Sequence, residues 1–80
     1  MARFFFHLHE CGKTLIDEEG RELPDLEAAR FRAMQGARDL MCGEIEQGRL
    51  CLGCSIEVTD ESGASVLTLA FRDAVRITGR

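Results

Sequence analysis

The only proline of the chain, Pro24, sits between Leu23 and Asp25, and it constrains the fold more than any other residue. A residue before proline is pushed out of the helical region, so Leu23 must be extended. Asp25 can then cap a helix, its side chain accepting from an amide two or three residues on. Glu27 adds negative charge at the positive end of the helix dipole. The capping box is incomplete, because Ala28 stands where Glu or Gln would be needed. The spacing predicts one long helix from Leu26 to about Glu46, with Gly48 as its terminator. Gly36 and Gly43 lie inside it and weaken it by about 1 kcal/mol each relative to Ala. Everything before Pro24 must therefore be built without this helix, and everything after it follows the helix.

Before the helix, Arg3 to His9 alternates. Phe4, Phe6 and Leu8 share one face at period two; Phe5, His7 and His9 share the other. Glu10–Lys13 reads as a turn, Thr14–Asp17 as a short second strand, and Glu18–Leu23 as loop. After the helix, Arg49–Cys54 is a connector, Ser55–Thr59 a third strand, Asp60–Ala64 a hairpin turn and Ser65–Phe71 a fourth strand. Arg72–Val75 reads as one helical turn and Arg76–Thr78 as a short extended tail. The order is ββαββ. Its simplest packing is an α+β two-layer sandwich, a four-stranded antiparallel sheet with the helix on one face. The expected core is Phe4, Phe6, Leu8, Leu15, Leu26, Ala29, Ala33, Ala37, Leu40, Ile56, Val58, Leu67, Leu69 and Phe71.

Eighty residues make one domain, 1–80. A chain of this size buries only about 60% of its unfolded surface, so self-association, a metal or disulfides would help it. The net charge is −4, and nine of the ten basic residues are Arg, interleaved with acids. That balance disfavours a nucleic-acid binder or a partner of anionic membranes, both of which need a basic face; a nucleic-acid-associated regulator is the third reading and requires the fold to gather the arginines on one face. No apolar run reaches membrane-spanning length, and the first residues lack the pattern of a signal peptide, so a cytoplasmic location is expected.

On a helical wheel, Leu26, Ala29, Ala33, Ala37 and Leu40 form one stripe, which is assigned to the sheet. Phe31, Met34, Arg38, Met41 and Ile45 recur at three and four beside it, the rhythm of a helix seam. A single helix on a single sheet has no obvious place for this second set. Either a C-terminal segment or loop covers it, or it meets a second copy of the chain or a partner groove. These five residues are the candidate interaction surface.

The cysteines are the second candidate. Cys51 and Cys54 form a C-x-x-C pair, Cys42 lies upstream on the helix, and Cys11 lies in the first turn near His7 and His9. Zinc wants four such ligands in a tetrahedron, and one C-x-x-C is half of that. The alternative reading is therefore a small zinc-binding protein that uses Cys51 and Cys54 with Cys42 or a histidine. A thioredoxin-like pair should open a helix after a strand, and this one follows a helix and precedes a strand. The acids Asp17, Glu18, Glu19, Glu22, Asp25 and Glu27 lack the spacing of a calcium loop and read as a solvated turn and helix cap. Gly12-Lys13-Thr14 resembles the end of a phosphate loop without its upstream glycine, and no serine sits in a nucleophile elbow. A non-enzymatic chain with no cofactor is expected.

Four stretches carry a family resemblance: Arg3-Phe4-Phe5-Phe6-His7; Gly20-x-Glu22-Leu23-Pro24-Asp25-Leu26-Glu27-Ala28-Ala29-Arg30; Ile56-Glu57-Val58-Thr59-Asp60-Glu61-x-Gly63; and Leu67-Thr68-Leu69-x-Phe71-x-Asp73-Ala74-Val75. Together they resemble a family of short bacterial domains of unknown function, along nearly the whole chain. The resemblance implies the same strands-helix-strands unit and no activity. Cys42, Cys51 and Cys54 lie outside the pattern, which argues against a metal as the family's working part.

Overall fold

In a computed structural model of the chain, which describes residues 1–79, β1 (Ala2–Glu10), β2 (Lys13–Leu15) and β3 (Arg21–Leu23) precede α1 (Leu26–Glu46). β4 (Ser55–Thr59), β5 (Ser65–Ala70) and a 3-10 turn at Phe71–Asp73 follow it. The class is the expected α+β, with one long helix against an open antiparallel sheet. The sheet has five strands rather than four, in the order β2-β1-β4-β5, with β3 also on β1. The segment Arg21–Leu23, expected as loop, pairs with Ala2–Phe4. Three residues with two charges give no periodicity to read, and only the exposed amides and carbonyls of β1 recruit them.

β1 organises the sheet. One edge pairs with β4, from Phe5↔Thr59 to His9↔Ser55. The other edge is shared between two short strands, β3 at Ala2–Phe4 and β2 at Leu8–Glu10. Neither reaches Phe6. There Asp17 takes over, its Oδ2 accepting the Phe6 amide at 3.1 Å while Oδ1 accepts those of Glu19 and Gly20 at 3.2 and 3.1 Å. One side chain thus replaces a missing ladder bond and shapes the crossing from β2 to β3. Gly20 completes that crossing at φ +71°, and a Cβ there would lie 2.8 Å from the Phe5 ring and 2.9 Å from the Phe4 carbonyl oxygen.

The helix begins and ends as expected. Asp25 is extended and its Oδ1 accepts the Ala28 amide at 2.9 Å. At the other end Gly48 takes φ +83°, its amide bonds the Ile45 carbonyl, and that of Arg49 bonds the Glu44 carbonyl. This is a Schellman motif, which satisfies the last carbonyls of the helix.

The buried helix residues are Ala29, Ala33, Ala37 and Met41, against Phe4, Ile56, Val58, Leu69, Phe71, Cys54 and Ala74. Every step in that helix stripe is four residues. At about 100° per residue, each step turns the contact line by about 40°, so the stripe slants across the helix. Leu26 and Leu40, expected in the core, lie about 90–100° off the slanted line at their ends of the helix and are exposed. Leu15 is also exposed, because β2 forms the far edge, away from the strands that the helix packs on. Phe6, Leu8 and Leu67 are partly buried against the core. No regular structure forms over Arg76–Thr78, the expected extended tail.

Two glycines separate conformational need from tolerance. Gly20→Ala is expected to lower stability by about 2 kcal/mol or more, through both the left-handed backbone and the contact with Phe5. A Cβ at Gly43 meets nothing, so Gly43→Ala is expected to raise stability by up to about 1 kcal/mol. Urea unfolding of both variants reads the two signs.

Candidate functional site

The face of the sheet turned from the helix carries Phe5, His7 and His9 of β1 beside Thr59, Glu57 and Ser55 of β4. Strand alternation placed the two histidines there. The tertiary structure gives each of them two partners. His7 Nδ1 accepts the Asp17 amide at 3.1 Å, so the proton sits on Nε2, which donates to Thr59 Oγ1 at 3.0 Å. The Phe5 and His7 rings stack in nearly parallel planes with centroids 6.5 Å apart. His9 Nε2 donates to Glu57 Oε1 at 2.9 Å, and its Nδ1 lies 3.0 Å from Thr14 Oγ1. The arrangement links β2, β1 and β4 through side chains, and both imidazoles are occupied in doing so.

The acids of this network are held ionised. Partial burial pushes the Asp17 carboxyl up, but the amides of Phe6, Gly20 and Glu19, with His7 nearby, outweigh it and hold it below its ordinary value. Glu57 is held low by its hydrogen bond to His9 and then by Ser65. Asp60 is held low by Ser62 and Ala64 in the β4–β5 turn, where its Oδ1 accepts three hydrogen bonds. Within the acidic stretch, Asp25 caps the helix, Glu22 pairs with Arg3 at 3.2 Å, and Asp17 alone of the acids accepts an amide of β1. The signal for Asp17 in the sequence is the Asp-x-x-Gly spacing to Gly20, which reads as a turn but does not show that β1 lies across it.

The helix flank comes apart from its expected grouping. Met41 is 4% exposed and belongs to the core, because the slanted stripe reaches it where a straight one would reach Leu40. Met34 is half-buried against that core. Arg38 Nε donates to the Ala74 carbonyl at 2.7 Å, clamping the segment after β5. Phe31 and Ile45 remain 62% and 60% exposed. Arg38 places this flank on the β5 side. On the opposite flank, Arg32 and Gly36 line a cavity of about 310 Å³ with Asp17, Glu19 and Arg21. Both basic and acidic groups line that cavity.

The cysteines converge in a way that spacing did not show. Cys54 Sγ donates to Cys51 Sγ at 3.0 Å, and Cys11 Sγ lies 3.6 Å from Cys51 Sγ. Cys42, expected to join Cys51 and Cys54, is exposed on the helix and does not line their cavity. Its place is taken by Cys11, delivered by the β1–β2 turn. Burial, then the bond to Cys51, pushes the Cys54 thiol up to about 12. Hydrogen bonds from Cys54, Cys11 and the Gly53 amide lower Cys51. Among the described residues, no three His, Cys, Asp or Glu side chains are arranged to hold a metal ion. No described helix is long and apolar enough to cross a membrane.

These features define a small α+β domain whose polar side chains mostly hold its own strands together. Residues 3–72 match the family described as a domain of unknown function, DUF6894, and the chain belongs to that family. The match spans all four stretches of resemblance up to Arg72. No curated protein and no solved structure matches the chain.

Asp17 titrates with a sign fixed by its donors. Its folded pKa is depressed, so its stabilisation is present above the unfolded value of 3.8 and is lost as pH falls through the folded one. Asp17→Ala is expected to cost about 1–3 kcal/mol at neutral pH and to flatten the decline below pH 4, as read from urea midpoints across pH.

Proposed function

We propose that this chain is a non-catalytic association module that pairs with a second copy of itself along the free edge of β5 and the adjoining flank of α1. The observation that carries this reading is the contrast between the two edges of the sheet. The β2–β3 edge is guarded: its strands are three residues each, it carries Lys13, Arg21 and Glu22, and Asp17 interrupts it. The β5 edge is six residues, Ser65 to Ala70, without charge or proline. Natural sheets protect their edges with charge, proline or interruption, and an unprotected edge accepts another strand.

The phase of the ladder says which groups face outward. The Phe71 amide bonds the Cys54 carbonyl at 2.9 Å, in register with Leu69↔Ile56 and Leu67↔Val58. Antiparallel partners alternate, so the main-chain groups of Thr68 and Ala70 point to the free edge. A two-fold axis sets one β5 antiparallel to its copy, and an uncharged strand meets its copy without repulsion. Arg38 anchors the helix flank on this side, and pairing of the strands would bring this flank, with the half-buried Met34 and the exposed Phe31, beside the copy. The histidines and Asp17 fit a non-catalytic role, since their polar atoms are engaged within the fold.

Sedimentation equilibrium at micromolar concentration is expected to give twice the 8.9 kDa chain mass. Thr68→Pro removes one outward amide and leaves the β4 ladder intact, and is expected to give a monomer with unchanged far-UV circular dichroism. Phe31→Glu is expected to weaken the dimer about tenfold or more. A monomeric parent protein, or two variants that stay fully dimeric, would sink the proposal.

A further inference from the structure

Three thiols from two segments far apart in sequence meet at one cavity. Cys11 comes from the β1–β2 turn and is exposed; Cys51 is half-buried; Cys54 is 3% exposed. Cys51 stands between the other two, at 3.0 Å from Cys54 and 3.6 Å from Cys11. The Glu44 carboxylate accepts the Cys51 amide at 3.1 Å and ties this loop to the helix. A surface cavity of about 320 Å³ opens onto the thiols, lined also by Glu10, Lys13, Arg49 and Leu50. Lys13 and Arg49 give it cationic groups that suit the carboxylates of a small peptide disulfide, alongside the acids Glu10 and Glu44.

We propose that Cys51 and Cys54 form a reversible dithiol–disulfide site that is oxidised by small peptide disulfides entering this cavity, with Cys51 as the attacking sulfur. The Cys51 thiolate attacks one sulfur of the external disulfide, forms a mixed disulfide and releases one small thiolate, which takes up a proton. Cys54 then loses its proton and attacks the Cys51 sulfur. The Cys51–Cys54 bond forms, the mixed disulfide breaks, and the second small thiolate leaves and is protonated. Two protein thiols are oxidised, and one external disulfide is reduced to two thiols.

The order of attack follows from position. Cys51 meets the cavity and accepts the hydrogen bond from Cys54, which favours its thiolate. Cys54 also lines the cavity but is only 3% exposed, whereas Cys51 is half-buried, so Cys51 offers an external disulfide the more open of the paired sulfurs. Closure requires the sulfurs to move from 3.0 Å to a bond of about 2.05 Å. Cys11 is the outer thiol, placed to donate a hydrogen bond to Cys51 in the reduced state. Cys42 takes no part, so Cys42→Ser supplies a background free of its exposed thiol.

The test uses the full chain with Cys42→Ser, reduced, freed of reductant and exposed to oxidised glutathione. Titratable thiols are expected to fall from three to one, with no retained glutathione, and peptide mapping is expected to find a Cys51–Cys54 link. Adding Cys11→Ser and Cys54→Ser together, which removes both neighbouring thiols, is expected to trap glutathione on Cys51. Adding Cys51→Ser is expected to abolish the intramolecular link while far-UV circular dichroism stays unchanged. Three persistent thiols, a sole link between Cys11 and Cys51, or glutathione trapped first on Cys54 would overturn the proposal. So would stoichiometric zinc in protein purified without a tag that shields the thiols until it is chelated.

Discussion

The amide of Phe6 faces an edge where neither short strand reaches, and the Asp17 carboxylate accepts its hydrogen bond. Much of the sheet depends on that substitution. β1 pairs with β4 on one side, so its other side must be completed by whatever chain follows it. The chain does this in two pieces, β2 and β3, and Asp17 bridges the gap between them. The same residue donates its own amide to His7, whose far nitrogen reaches Thr59 on β4. A break on one side of the central strand is thereby tied to the strand on the other. The tight packing of Gly20 on Phe5 belongs to the same corner. Asp17 forms these bonds only as a partly buried acceptor of several donors, a setting that holds its charge in place.

The helix adds a second constraint. Its contact residues are mostly alanine, so backbone and sheet approach closely, and the contacts repeat every four residues. A four-residue repeat does not run parallel to the axis, and the slant redistributes the apolar residues. It draws Met41 into the core and leaves Leu26 and Leu40 exposed. The apolar residues left over, Phe31 and Ile45, are surface residues on a helix whose other flank faces a mixed-charge cavity. Arg38, the one charge in the expected seam, serves as a clamp on the chain after β5.

The family signature gains a physical explanation from these contacts. His7, Gly20, Asp25, Thr59, Asp60 and Gly63 each appear in the stretches of resemblance, and each has a fold-holding task. They orient Asp17, make a close approach, cap the helix or close the last hairpin. The thiol cluster stands apart from this set. It lies where the β1–β2 turn meets the connector before β4, and Cys51 and Cys54 fall outside the recognisable stretches.

Local signals are legible wherever a residue acts on its own neighbours. Pro24 and Asp25 start the helix, Gly48 ends it, alternation marks β1, β4 and β5, and Asp60 with Gly63 turns the last hairpin. All of these are set by backbone sterics and by bonds spanning a few residues, so the sequence alone determines them, and with them the α+β class. β3 has no such signal, being three residues that become a strand only because β1 offers them partners. The slant of the helix is set by the shape of the sheet it lies on, so no helical wheel could rank Met41 above Leu40. Cys11 and Cys51 are 40 positions apart, and Asp17 and Phe6 are 11 apart. Their meeting depends on register and on loop paths, which exist only once the strands have paired. Only the tertiary structure decided which thiols meet and which carboxylate completes the sheet, because contacts distant in sequence are chosen by packing rather than by local propensity.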